Sequence, residues 1–356
     1  MRSAQPLVQA KHNGKLARQI TRPPILLKSS MRSKAKREKT IEILIVPNPS
    51  QLPNQKNVGI TIEPEVIKDI LSQAYKTVLI TVINTEDDLQ SLIERRPDLV
   101  FSGVKYFIFG DREIWLNDCL DKHNIRYIGS SCQALYKEHD KSIAKTIVKN
   151  AGLATADFFI SSPGEHPTLA SVPLAFPLFI KPVKGGDSIG VDARSIANDI
   201  DAMNAKITEI HQLQKTTALL ETFLSGKEYS VGIFEDNTTG ELIAMPIEIV
   251  VNENENGQRI LDFTTKKNDE ETVCKVTNRK IHRQLSDLAK ATFTALGGKS
   301  FGRIDIKMNG NNTPHFIEAN LMPGLKKGYF YRACSLNLGL SYAQMIMKIA
   351  HNRMSP

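Results

Sequence analysis

Long apolar runs are missing from this chain. No stretch of its 356 residues reaches the ~18 uninterrupted apolar residues that a membrane-spanning helix requires, and the longest candidate, residues 174–180, is broken by Pro173 and Pro177. Cysteine is scarce. Cys119, Cys132, Cys274 and Cys334 lie far apart, with no CxxC pair and no histidines at zinc-ligand spacing. That excludes a zinc ribbon and a dithiol redox motif, and predicts reduced, mostly buried thiols in a cytoplasmic protein. Neither GxxxxGK[ST] nor a GxGxxG turn opening a helix occurs, so a P-loop and a Rossmann dinucleotide site are excluded as well. No internal repeat is visible.

Acidic residues are nearly absent from one place only. Residues 1–40 hold eleven Lys and Arg against Glu38 alone, so this segment carries +10 while the whole chain carries +8 and the remainder carries −2. By composition the body is not a nucleic-acid-binding surface. The Arg-rich, acid-poor tail reads as a solvated extension, with an organellar targeting peptide or a phosphate-seeking arm as alternatives, and Met31 offers a second start.

What is present is an alternation of strand-like and helix-like segments. Strands are expected at 41–46, 77–83, 99–109 and 125–128, with helical stretches at 64–74, 87–95 and 111–124. Repeated βα units of this length predict a parallel sheet with helices on both sides. A long helix is expected over 132–150, stopping at Ala151-Gly152. Strands follow at 158–161, 178–182, 190–193 and 218–223, with a helix from 196 to about 213. Beyond Gly226 come strands at 228–234 and 242–251 and a helix at 279–296, whose Ile281, Leu285, Leu288, Thr292, Phe293 and Leu296 recur at helical spacing and read as core. A surface helix is expected at 341–353. The fold class is α/β, divided into a basic tail (1–40), an N-terminal α/β lobe (41–130), a central lobe (131–224) and a C-terminal lobe (225–356).

The most informative stretch is GRIDIKMNGNNTPHFIEANLMPG, residues 302–324. Two alternating segments, 302–308 and 315–320, flank a turn-prone Asn309–Pro314. Along a strand Arg303 and Asp305 share one face, opposite Ile304 and Ile306; Glu318 and Asn320 likewise share a face, opposite Ile317 and Ala319. Paired as a hairpin, these segments gather two carboxylates, a carboxamide and a guanidinium. Hard oxygen ligands of that kind suit Mg²⁺, commonly held by one or two carboxylates plus nucleotide phosphates. A second signal, FIKPVKGGDSIG (179–190), ends a buried strand on Lys181 and continues into a loop of small residues. Gly185 and Gly186 let backbone N–H groups approach a phosphate, Ser188 adds a hydroxyl, and Lys181 supplies a point charge. A third, Glu221-Thr222-Phe223-Leu224 followed by Glu228, is a strand exit that can pair with a purine edge, or an ordinary exit with a satisfied acid. Lys141 and Lys266 are isolated cations whose bland reading is solvated lysine.

Together these motifs resemble the ATP-grasp superfamily and, within it, the D-alanine–D-alanine ligases. The resemblance runs from about Tyr127 to Ser341 and rests on HDKSIAK (139–145), FIKPVKGGDSIGV (179–191), ETFLSGKEYSV (221–231), DFTTKK (262–267) and the 302–324 hairpin. It implies an ATP-grasp fold, with an N-terminal parallel-sheet lobe and two α+β lobes clasping the nucleotide. It also implies ATP with Mg²⁺ or Mn²⁺, and small amino-acid-like carboxylate and amine substrates joined through an acyl phosphate, with a homodimer among the assemblies open to the chain. By that resemblance Lys141 and Lys181 contact ATP phosphates, and Gly185, Gly186 and Ser188 form the lid. Glu221, Leu224 and Glu228 hold adenine and ribose, and Lys266 reaches the γ-phosphate. Asp305, Glu318 and Asn320 bind metal, while Arg303 faces the reacting carboxyl group, with Lys266 and Ser188 assisting.

The substrate motifs depart from the family. In place of GGxSxExxVS, residues 46–59 read VPNPSQLPNQKNVG, with no acid; in place of HGxxGEDG, residues 102–115 read SGVKYFIFGDREIW. After the Pro323-Gly324 pair, where the family has serines, stands LKKGYFYRAC, with Tyr329 at the expected serine. Lys326, Lys327, Tyr329 and Arg332 are expected either to receive a carboxylate or to form a basic surface turn. The alternatives to a dipeptide-type ligase are a ligase for other amino-acid-like substrates and a nucleotide-binding regulator without turnover.

Overall fold

Ile41, Ile43 and Leu44 have no solvent exposure, as befits a parallel strand covered on both faces. They belong to β1 (Arg37–Ile45), which is followed by α1 (Pro64–Leu71), β2 (Tyr75–Val82), α2 (Glu86–Arg95) and β3 (Leu99–Ser102). The three strands form a parallel sheet in the order β2-β1-β3. Glu42, buried in the middle of it, is satisfied by the Arg95 fork (2.8 and 2.7 Å) and the Thr81 hydroxyl (2.7 Å). The structure is a computed structural model and describes residues 37–45, 59–60, 62–186, 188–236, 239–253, 257, 259–268 and 270–354. The tail over 1–36, and most of the acid-free 46–59 stretch, lie outside the described residues.

The apolar run at 99–109 is not one strand. It breaks after Ser102, whose hydroxyl bonds Val104 N and O at 2.7 Å, and resumes as β4 (Tyr106–Phe109), which turns back on β5 (Arg112–Trp115). The helix expected over 111–124 therefore shrinks to α3 (Leu116–Lys122), and the strand expected at 125–128 is a single parallel bridge between Val100 and Tyr127. The long helix expected over 132–150 is also interrupted. Asp140, at φ −110° and ψ 109°, ends α4 (Cys132–His139) and caps α5 (Lys141–Asn150) by accepting from Ser142 N and Ile143 N. An Asp that satisfies first-turn N–H groups begins a helix more readily than it continues one.

A four-stranded sheet follows, ordered β6 (Phe158–Ser161), β9 (Ala218–Thr222), β7 (Leu178–Pro182) and β8 (Ile196–Ala197), with α6 (Ile200–Gln214) packed on Leu178, Ile180 and Leu220. The strand expected at 190–193 is instead a turn and a short 3₁₀ segment, so α6 starts later than the sequence suggests. The last sheet is antiparallel and ordered β12-β11-β10-β13-β14, built from β10 (Glu228–Glu235), β11 (Leu242–Val250), β12 (Thr272–Lys275), β13 (Phe301–Met308) and β14 (Pro314–Asn320). One face carries Tyr229, Val231, Ile233, Ile304 and Ile306 against α8 (Arg279–Leu296). Gly302 lets α8 approach closely, because a Cβ there would lie 2.6 Å from the Phe293 ring. Two helices escaped the sequence reading: α7 (Phe263–Asn268) and α9 (Tyr329–Leu338). The final helix, α10 (Tyr342–Met354), is less superficial than expected, since Met345, Ile346, Ile349 and Ala350 are fully buried. All four cysteines are free, but only Cys334 is buried and Cys274 is exposed.

Candidate active site

The 302–324 segment forms the expected hairpin, with Arg303 opposite Asn320 and Asp305 opposite Glu318. Its second strand does not alternate simply. The register shifts after Asp305, so Ile306 pairs with Phe316 and Ile317 is left as the extra residue of a bulge. Phe316 and Ala319 thus both face the core with two residues between them, where regular alternation would leave one. Glu318 and Asn320 turn to the same side as Asp305. Ile317 itself, expected opposite Glu318 on the core face, lines the cavity, and its carbonyl oxygen lies 3.5 Å from Lys181 Nζ.

The Asp305 carboxylate is held on both oxygens. Arg303 Nε and Nη2 donate to it at 3.0 and 2.9 Å, Ser230 Oγ at 2.6 Å, and Asn320 Nδ2 approaches at 3.4 Å. Burial works against the Arg303 guanidinium, yet the adjacent Asp305 raises its pKa above the usual value. Glu318, by contrast, accepts no hydrogen bond among the described residues. Those residues contain no cluster of three or more His, Cys, Asp and Glu side chains fit for a metal. The hairpin set is two carboxylates and an amide, a hard-oxygen set that matches a cation shared with phosphates rather than a closed protein cage.

Two cavities meet at this hairpin. The first is lined by Lys141, Lys181, Gly185, Gly186, Ser188, Glu221, Leu224, Glu228, Lys266, Asp305 and Glu318, which covers every residue that the resemblance implied for nucleotide, metal or catalysis except Arg303 and Asn320. The second is lined by Lys105, Trp115, Glu138, His139, Glu318 and Asn320, among others. Gly185, Gly186 and Glu318 line both.

The lid is fastened at several points. Gly185 adopts φ +107°, a conformation open to glycine, and its carbonyl accepts from Lys141 Nζ at 2.5 Å. Ser188 sits in the left-handed region at φ +57° and its hydroxyl donates to Leu261 O at 3.1 Å. Lys181 is paired in a way the sequence did not show. Glu221 lies between Lys181 (2.7 Å) and the fully buried Lys145 (2.8 Å), which also donates to Thr155 at 2.6 Å. Burial pushes the Glu221 carboxyl up, but the two lysines outweigh it and pull it down to about 2. Burial pushes Lys141 and Lys145 below the ordinary lysine range. Because Glu221 is spent on these lysines and Glu228 is ion-paired with Lys307 at 3.0 Å, the acids of that exit are less available to a ribose than their sequence positions suggest.

Tyr329, at the N-terminus of α9, lies over the Arg303 guanidinium (5.4 Å to the ring centroid), and its hydroxyl donates to the buried Glu271 at 2.6 Å. Lys266 Nζ lies 5.9 Å from the same ring. Lys326 and Lys327 do not join this group. They are exposed and border a separate depression with Glu63, Val66 and Tyr342, which agrees with the basic surface turn rather than the carboxylate receiver of the two readings. Lys145, Glu138, Lys105 and Glu271 went unrecognised because each acquires its partner from a distant part of the chain.

A glycine-rich loop and buried lysines beside the four-stranded sheet, facing an acidic hairpin of the five-stranded sheet, are the arrangement of an ATP-grasp enzyme, an ATP-dependent, ADP-forming ligase of the amide-forming class. Residues 147–351 match the model of the D-ala D-ala ligase C-terminus, and the chain belongs to that family. A D-alanine–D-alanine ligase of Ruthia magnifica is 26% identical over 243 residues, spanning 67% of this chain and 78% of that protein. One from Laribacter hongkongensis is 27% identical over 267 residues, spanning 74% and 82%. The fold is shared with the Bacillus anthracis D-alanine–D-alanine ligase crystallised with ATP (TM-score 0.65, 16% identity, 89% of this chain and 97% of that one). It is shared also with a D-Ala:D-Ser ligase of Enterococcus faecalis (TM-score 0.62, 17% identity, 89% and 100%). Among the described residues no helix is long and apolar enough to cross a membrane.

Proposed function

We propose that this chain joins a small amino-acid-like carboxylate to an amine, with ATP in the first cavity and the carboxylate donor in the second. The observation that carries the reading is the sharing of Glu318, Gly185 and Gly186 by the two cavities, which brings a phosphate-facing lid and a metal-type acid to the border between two ligands. A carboxylate is a poor electrophile because oxide would have to leave. Attack of its oxygen on the γ-phosphorus expels ADP and gives an acyl phosphate; attack of the amine on the acyl carbon then expels phosphate, and the amine loses a proton.

Asp305, Glu318 and Asn320 would hold Mg²⁺, which supplies neutralisation of charge on the transferring phosphoryl group. Lys141, Lys181 and Lys266 line the same cavity, and the first two would face the phosphates. Arg303 uses two of its five N–H donors on Asp305 and keeps the rest for the reacting carboxyl group and the oxyanion that follows. Closure of the 185–190 lid protects the acyl phosphate from water. Leu224, Glu228 and the backbone of the 221–224 exit border the nucleotide base and sugar.

The test is ADP and hydroxamate production with ATP, Mg²⁺, hydroxylamine and a panel of amino acids. Wild type is expected to form hydroxamate with at least one donor, and Asp305→Asn to lose at least two orders of magnitude. Equal rates in the two proteins would remove Asp305 from the metal site.

A further inference from the structure

The donor cavity holds an acid that the reaction scheme leaves unused. Of the described residues lining it, only Glu138 and Glu318 are acidic, and Glu318 belongs to the hairpin. The Glu138 side chain is 6% exposed. One of its oxygens accepts from Lys105 Nζ at 2.5 Å; the other accepts from the backbone N–H of Leu321, the residue directly after Asn320. An ionised carboxylate offers about four acceptor positions, so two are used and two remain. Glu138 also lies in the last turn of α4, where the helix dipole disfavours an acid. Lys105 and the Leu321 N–H offset that cost and pin the carboxylate one residue from the strand end that carries Glu318 and Asn320.

From this geometry, and resting on the ligase reading above, we infer that Glu138 binds the α-ammonium group of an amino-acid donor whose carboxylate faces Asn320 and Glu318. An ammonium taken out of water requires a counter-charge. The 46–59 stretch that leads into Gly59 and Ile60, two residues of the cavity wall, contains no Asp or Glu. His139, the neighbouring titratable group, has its pKa lowered by burial and by Lys184 and Lys105, which favours the neutral ring over a cation that would compete for Glu138. Lys105 keeps Glu138 oriented and adds positive charge beside the donor carboxylate. Ile60, Leu135, Trp115 and Met322 complete a cavity of about 140 Å³ and leave the donor side chain against an apolar wall.

The experiment compares matched donors, alanine against propionate and leucine against 4-methylpentanoate, by hydroxamate formation with hydroxylamine, ATP and Mg²⁺. Wild type is expected to favour the amino donor. Glu138→Gln is expected to lower the amino-to-des-amino ratio of kcat/KM about ten- to a hundredfold through KM for the amino donor, with KM for ATP unchanged. A role limited to clamping Leu321 would depress both donors alike and leave the ratio intact, which would overturn the inference. So would a wild-type enzyme that uses propionate as well as alanine, a measurement that needs no variant. Glu138→Asp, which keeps the charge, is expected to retain part of the preference; a ratio as low as that of Glu138→Gln would count against the assignment. Hydroxamate from des-amino donors alone overturns the Glu138 role and leaves the ligase reading standing, whereas no hydroxamate from any donor overturns both.

Discussion

At the residue scale, the charges around the hairpin are arranged in pairs whose members cannot be removed singly without cost. Glu221→Gln would leave Lys145 and Lys181 buried without the one carboxylate they share, and a loss of about 3–5 kcal/mol in denaturant-unfolding stability is expected. Because the folded Glu221 carboxyl is held at about 2, below the ordinary 4.5 of a free glutamate, its contribution is complete above the unfolded value and is lost as pH falls from about 4.5 towards 2. Stability measured across that window should decline in wild type and decline less in the Gln variant. Arg303→Ala removes a donor from the developing oxyanion and should reduce kcat by about 10²–10³, measured as ADP release at saturating ATP. Tyr329 is a further departure from serine. Tyr329→Phe leaves the buried Glu271 without its hydroxyl donor, and about 1–3 kcal/mol of stability should go with it.

At the scale of elements, the site depends on two interruptions. The bulge at Ile317 turns Glu318 and Asn320 towards Asp305, and the break at Asp140 ends one helix with Glu138 and His139 while beginning the next with Lys141. Asp140→Ala should cost about 0.5–2 kcal/mol by thermal or denaturant unfolding, since it removes the cap that separates them. These two features also mark where sequence reading stops. The helix at 279–296 and the first strand of the hairpin, 302–308, are legible because their apolar residues repeat at 3.6 and at 2, and the pattern survives in the packing of Phe293 and Ile304. The bulge, the Asp140 break and the division of 99–109 were not, because a continuous apolar or helix-forming run conceals a local side-chain-to-backbone bond. Lys181, Asp305 and Glu318 announce themselves through local motifs, whereas Lys141 is singled out only by the family resemblance. Lys145, Glu138 and Glu271 are defined by partners 76, 183 and 58 positions away, a relation that composition and spacing do not carry.

On the scale of the whole molecule, one core joins the parallel sheet to the last sheet. Ile41, Ile43 and Phe101 share a buried cluster with Met245, Ile247, Phe330 and Ile346. Phe330, which meets Phe234 edge-on and Phe301 at a tilt and directly follows Tyr329, ties the wall over Arg303 to that core. A nucleotide that binds only the folded chain should stabilise it by about 2.7 kcal/mol at a hundred times its dissociation constant, and the thermal shift should shrink in Asp305→Asn if Mg²⁺ contributes to that affinity.

Glu318 stands in a wall common to both chambers, so neither ligand meets a field independent of the other. Whatever neutralises its charge from the nucleotide side alters the attraction or repulsion felt by a carboxylate arriving on the donor side. Thermodynamic linkage makes that influence mutual and equal in size. On the proposed reading, one side chain shared by both walls thereby couples two neighbouring binding events into a single equilibrium.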